Sequence, residues 1–157
     1  MALEKIVSGG QTGVDRGALD AALARGFPCG GWCPAGRLAE DGVIPPQYPL
    51  TELSRGGYRQ RTLQNVLDSD GTAIIYFGTL EGGTELTLLF CIRHRKPYKL
   101  IDGTEIPPVR ASVLLRDFVE AMDIRVLNVA GPRASKVAEA EQYAAQAVGA
   151  LLEAMAP

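Results

Sequence analysis

Thr72–Phe77 (TAIIYF), followed by Gly78-Thr79-Leu80-Glu81-Gly82-Gly83-Thr84 and an apolar run to Arg95, is the stretch that decides the fold. Six consecutive small, β-branched and aromatic residues predict a strand buried on both faces. A glycine turn then leads into a segment of helical period over Thr84–Arg95, stopped by Pro97. The same unit recurs on either side. Lys5–Ser8 is a short apolar strand running into glycine. Val14, Ala18, Leu19, Ala22 and Leu23 follow at helical spacing and end at Arg25-Gly26. Ile124–Ala130 (IRVLNVA) is another buried strand, and Lys136–Met155 reads as a long alanine-rich helix. Gly30–Cys33 and Lys99–Ile101 are weaker strands. Tyr58–Leu67 and Val109–Met122 are amphipathic helices.

Strands alternating with helices imply parallel strands joined by right-handed crossovers, with helices on both faces. The expectation is an α/β, doubly wound, mainly parallel sheet of about five strands, as a single domain over residues 1–157. The stretch from Pro34 to Ser54 shows no periodicity but carries Pro34, Pro45, Pro46 and Pro49. Those prolines stiffen it, and a structured loop is expected there.

Composition agrees with one folded unit. The 157 residues are 46% hydrophobic and 22% charged, and their 18 glycines and 10 prolines fall short of a low-complexity composition. A formal net charge of −2 excludes a generally cationic surface for nucleic acid. No apolar run reaches the ~20 residues that span a bilayer. MALEKIVSGG lacks the basic and long apolar regions of a secretory signal. Cys29, Cys33 and Cys91 make an odd set without a disulfide framework, so a cytoplasmic location is expected.

In an open α/β sheet, ligands bind beyond the carboxyl ends of the strands. Three glycine-bearing turns fall there: Ser8–Gly13, Gly78–Thr84 and Gly131–Lys136. Backbone N–H groups at a helix start hold anions, and glycine permits close approach. Ser135 and Thr84 are placed to cap their helices or to donate hydroxyls to phosphate. The three turns are expected to converge on one phosphorylated or otherwise anionic small molecule. No Gly-x4-Gly-Lys-Ser/Thr loop is present, which sets aside a P-loop ATPase. Gly10 and Gly13 fit the dinucleotide fingerprint, but Ser8 stands at its first glycine, which disfavours a nicotinamide dehydrogenase.

Asp15 suits the first turn of its helix through the helix dipole. Arg16 beside it is anomalous, because a cation at a positive helix end is unfavourable unless an anion or a carboxylate neutralises it. Arg61 and Asn65 share a face at i, i+4 spacing. Cys29 and Cys33 lack further ligands for a zinc site, and His94 stands in the basic run Arg93-His94-Arg95-Lys96. One histidine at a helix end supports no nucleophile–base pair, so no catalytic or metal-ligating residue is assigned.

The blocks SGGQTGVDRGALDAA (8–22), GWCPAGRLAEDGVIPPQYPLTE (31–52), RTLQNVLDSDGTAIIYF (61–77), GGTELT (82–87) and LNVAGPRASK (127–136) resemble, in order, the molybdenum cofactor carrier proteins. The resemblance implies a Rossmann-like fold related to the lysine-decarboxylase-like, cytokinin-activating phosphoribohydrolases. It implies a homo-oligomer, dimer or tetramer, which the alanine-rich last helix would also suit. The implied role is binding, protection or transfer of molybdenum cofactor, a phosphate-bearing pterin whose metal arrives already coordinated. A molybdoenzyme or a cofactor-synthesis protein would be the implied partner. Binding residues carried over through the matching motifs are Gly9, Gly10, Gln11, Thr12, Arg16, Arg61, Gly82, Gly83, Thr84, Gly131, Pro132, Arg133, Ser135 and Lys136.

The related hydrolases carry Pro-Gly-Gly-x-Gly-Thr-x-x-Glu with a catalytic glutamate, and here that position falls on Thr87. Two alternatives stand beside the carrier. One is a nucleoside-monophosphate N-glycoside hydrolase using Glu81, Glu85 or Asp70 as its acid–base group. The other is a sensor of a nucleotide derivative.

Overall fold

The structure is a computed structural model that describes residues 2–156. The chain runs β1 (Lys5–Val7), α1 (Val14–Ala24), β2 (Cys29–Gly30), β3 (Trp32–Cys33), β4 (Leu38–Ala39), β5 (Gly42–Val43), β6 (Thr51–Glu52), α2 (Tyr58–Asp68) and β7 (Gly71–Tyr76). It continues through α3 (Gly82–Arg93), β8 (Tyr98–Asp102), α4 (Pro108–Ala121), β9 (Val126–Ala130) and α5 (Ala140–Ala154).

Five strands form one parallel sheet in the order β2-β1-β9-β7-β8. The last strand lies in the middle, with Ile6 opposite Leu127 on one side and Ala73 opposite Val129 on the other. Counted with β9 first, the order becomes 3-2-1-4-5, that of the dinucleotide-binding fold. The chain is thus a circular rearrangement of that fold, begun one βα unit late.

Period-two alternation divides the β7 side chains between two layers. Ala73 and Ile75 join the core under α1, α4 and α5, together with Leu127, Val129 and Leu151. Ile74 points to the other side, against Val66 of α2 and Phe90 and Cys91 of α3. Helices therefore cover both faces, and burial of Ile74 and Ile75 alone contributes about 2–3 kcal/mol each.

Three sequence expectations need correction. Gly30–Cys33 is two strands, because Gly31 turns the chain out of the sheet and β3 pairs with β6 instead. Asn65 stabilises that exit, accepting from the Trp32 N–H at 2.8 Å and donating to its carbonyl at 3.0 Å. The last helix begins at Ala140, not Lys136, so Ser135 caps nothing; Glu139 holds the cap position. Thr84 likewise lies inside α3, whose N-cap is Glu81. In α5, Ala140, Ala144 and Ala147 are buried in the core, Ala145 and Ala150 are half-buried, and Ala154 is exposed.

The stretch from Pro34 to Ser54 is a structured loop. Arg37 gathers it by donating to the carbonyls of Ile44, Pro45, Tyr48 and Leu50. Ile44 and Tyr48 pack with Leu19 and Cys33 beneath it.

Candidate ligand site

Because β1, β9 and β7 are neighbours, the three glycine turns open side by side at the carboxyl edge of the sheet. Between them lies a cavity of about 150 Å³. It sits where the strand order reverses, between β9 and β7, which is where open α/β sheets bind ligands. The first turn lines it with Gly9 and Gln11. The second supplies Thr79, Glu81, Gly83 and Thr84, and the third Gly131, Pro132, Arg133 and Lys136. Arg59, Arg61 and Asn65 enter from α2. Gly10, Thr12, Arg16, Gly82 and Ser135 stand around this lining without forming part of it.

The first and third turns are joined at Gly13. Its φ of +84° suits glycine, and a Cβ there would lie 2.3 Å from the Pro132 carbonyl oxygen. That same oxygen accepts from the Val14 N–H at 3.1 Å. The junction fixes α1 against the Gly131–Lys136 segment.

Four polar groups from the sequence analysis have intramolecular partners here. Arg16 donates through Nη1 and Nη2 to Asp41 at 2.6 and 2.8 Å, and through Nε to the Gly10 carbonyl at 3.0 Å. The anion that Arg16 demands is therefore a carboxylate of the proline-rich loop. Thr12 donates its hydroxyl to Glu40, and Ser135 donates its N–H (3.2 Å) and hydroxyl (2.5 Å) to the same carboxylate. These bonds, Ser135 first and Thr12 second, hold the Glu40 carboxyl below the usual carboxylate range. Gln11 completes the clasp, its Oε1 accepting from the backbones of Thr12 and Glu40 at 3.0 and 2.9 Å.

At the inner end, Arg61 Nη1 donates to the Gly9 carbonyl at 2.8 Å and lies 3.4 Å from Asp15 Oδ2. Asp15 lines the cavity and is 7% exposed. Burial pushes its carboxyl above the usual range, opposed by Arg61 and by the Gln11 N–H. At the outer end, Lys136 Nζ reaches to 3.1 Å from the position a Cβ on Gly82 would take. An ammonium thus sits beside the first turn of α3, where Glu81 provides no side-chain cap.

The carboxylates considered for hydrolysis are scattered. Glu81 lines the cavity, whereas Glu85 is exposed outside it. Asp70 lies at the amino edge of the sheet, accepting from the Arg125 and Val126 N–H groups, so it cannot serve this site. Thr87 lines the cavity but gives its hydroxyl to the Gly83 carbonyl at 2.9 Å. Among the described residues, no group of three or more His, Cys, Asp or Glu side chains is placed to hold a metal ion. Nor is any described helix long and apolar enough to cross a membrane.

Comparison with known proteins now bears on this geometry. The profile of the circularly permutated YpsA SLOG family matches residues 6–152. The chain belongs to that family. The permuted strand order is the family's name expressed as topology. A crystal structure from Syntrophus aciditrophicus SB, described as a "Putative molybdenum carrier protein", is 46% identical and superposes with a TM-score of 0.93, covering 96% of both chains. No curated protein matches the sequence.

Within this permuted fold, sequence reasoning missed Glu40 and Asp41, which lie in a loop without periodicity. Asn128 also lines the cavity, and it had a visible signal, a lone polar residue inside the apolar run VLNVA.

Proposed function

We propose that the cavity binds a phosphorylated heterocycle, with molybdenum cofactor as that ligand, and that the protein holds, protects or transfers it. One observation carries this reading: the Lys136 ammonium beside the uncapped first turn of α3. The ammonium and the free N–H groups of that turn are two positive ends at one place, beside the carboxylates of Glu81 and Glu85. An anion between the two positive ends would be held by both. Arg133 lines the same side of the cavity and adds to the field. A phosphate there would accept from the backbone at Gly83 and Thr84.

The size of the site agrees with a ligand that is only partly enclosed. About 150 Å³ holds one six-membered ring or one phosphate group. The remainder of a phosphopterin would extend through the mouth. The name of the Syntrophus protein supports the same cargo. Molybdenum would enter already held by the pterin dithiolene, so the protein need supply no metal ligands of its own.

Calorimetric titration with a phosphorylated pterin, molybdenum cofactor and molybdate tests the proposal. Saturable binding of the phosphorylated ligand, weakening as salt rises, is expected. Absence of saturable binding by all three would overturn it. The hydrolase alternative retains one support, the presence of Glu81 at the cavity. Release of free base from nucleoside monophosphates, lost in E81Q, would favour it over a carrier. An oligomer, dimer or tetramer, belongs to the same proposal, and static light scattering at micromolar concentration decides it.

A further inference from the structure

We propose that Asp15 reads the ring of the ligand, its carboxylate accepting two adjacent N–H donors such as those of a 2-amino-4-oxopyrimidine. The inference rests on the phosphorylated-heterocycle reading above and names the ring class that the site selects.

The helix dipole and the Arg61 ion pair account for the presence of Asp15 but use only part of its hydrogen-bonding capacity. Asp15 stands in the first turn of α1, behind the N-cap Gly13. The Gln11 N–H donates to Oδ2 at 3.2 Å, and Arg61 Nη1 reaches the same Oδ2 at 3.4 Å. Both contacts are at the long end of the hydrogen-bond range, and Oδ1 receives neither. Ser8 is close enough to influence the carboxylate, but its hydroxyl proton goes to the Val129 carbonyl at 2.7 Å. Arg61 is itself divided among the Gly9 carbonyl, the Tyr58 carbonyl and Asp15, so it does not form a two-pronged pair. A carboxylate accepts about four hydrogen bonds, and a buried one is costly until they are made. Here the unused capacity lies at the wall of a cavity.

The charges also orient the ligand. Lys136 and Arg133 favour an anion at the outer end of the cavity, whereas at the inner end the Asp15 carboxylate offsets the Arg61 cation 3.4 Å away and weakens any pull on one. A molecule with phosphate at one end and adjacent donors at the other fits in a single direction. Two parallel N–H groups match the two oxygens of a carboxylate, as a guanidinium does. A 2,4-dioxopyrimidine ring, with a carbonyl oxygen in place of the 2-amino group, presents an acceptor to Asp15 and is disfavoured.

The test compares 6-hydroxymethylpterin phosphate with the lumazine phosphate that differs by that one exchange, using calorimetry on the wild-type protein and on D15N. Wild type should prefer the pterin by about tenfold or more, as expected for hydrogen bonds to a charged group. D15N should bind the two within about threefold of each other while binding inorganic phosphate at least as well as wild type. Equal wild-type affinities for the two rings would overturn the role of Asp15 while leaving the carrier reading intact. Loss of phosphate binding together with the ring preference in D15N would make Asp15 structural and also overturn it. Preference for AMP over 2′-deoxy-AMP, abolished in D15N, would reassign Asp15 to a sugar diol. Binding of neither ring by wild type would remove both proposals. The wild-type comparison requires no variant, so a poorly folded D15N does not shield the inference.

Discussion

Asp41 holds Arg16 by both arms of its guanidinium, at 2.6 and 2.8 Å. The arginine is buried, whereas the Asp41 side chain is 49% exposed. The pair therefore works as an anchor set in α1 and a strap laid over it from the proline-rich loop. D41A would leave the two arms of a buried cation without their acceptors. A loss of about 1–2 kcal/mol in urea unfolding is expected, with faster proteolysis between Pro34 and Ser54. Unchanged stability together with unchanged cleavage would show that the strap is not held by this pair.

Acid should release the same loop before it unfolds the sheet. Hydrogen bonds from Ser135 and Thr12 lower the Glu40 carboxyl, and the bonds from Arg16 lower that of Asp41. A carboxyl with a folded pKa below its unfolded value adds stability above the unfolded value. That stability is lost as pH falls through the folded value. Unfolded carboxyls titrate at about 4, so the clasp is fully present at neutral pH and fades below that range. Hydrogen exchange at residues 34–54 should rise below about pH 4 while β7 and β9 stay protected. In E40Q the loop should exchange faster already at neutral pH.

The close approach of α1 and α5 depends on Gly17. A Cβ there would lie 2.2 Å from the Glu141 carbonyl oxygen and 3.0 Å from the Ala144 Cβ. Backbone cannot move aside as a flexible side chain can, so G17A must push the helices apart. A destabilisation of about 1–3 kcal/mol follows from overpacking, despite the better helix propensity of alanine. A thermal midpoint equal to that of wild type would contradict this packing.

K136A separates binding from stability. Lys136 is exposed, so its removal should alter unfolding by no more than about 0.5 kcal/mol. Phosphopterin affinity should drop about tenfold at low salt, with a shallower salt dependence. R133A should act in the same direction. If K136A binds as wild type does, the anion does not sit at the start of α3.

The fold was largely legible because its signals are local. TAIIYF and VLNVA are recognisable strands from their residue types, and the glycine turns mark their carboxyl ends. Boundaries failed where a long-range contact intervened. Asn65 takes up the backbone of Trp32 and splits one apparent strand into two. Lys136–Glu139 has helix-forming composition, yet it stays outside α5, and Ser135 in front of it is bound to Glu40.

The site was legible as three turns, not as a set of contacts. The helix position of Arg16 calls for an anion, but nothing near it in sequence identifies Asp41. Asp15 had an adequate local explanation in the helix dipole, which concealed its place at the cavity.

The sequence by itself determined the alternation of strand and helix and the placement of glycine at the strand ends. Periodicity and turn chemistry act over a few residues, so one chain suffices to read them. Only the tertiary structure decided that β9 inserts between β1 and β7, and hence which turns face one cavity. It alone paired Glu40 with Ser135, 95 residues apart. Those choices arise from packing a permuted sheet between two helix layers, where the energy belongs to contacts that no local pattern encodes.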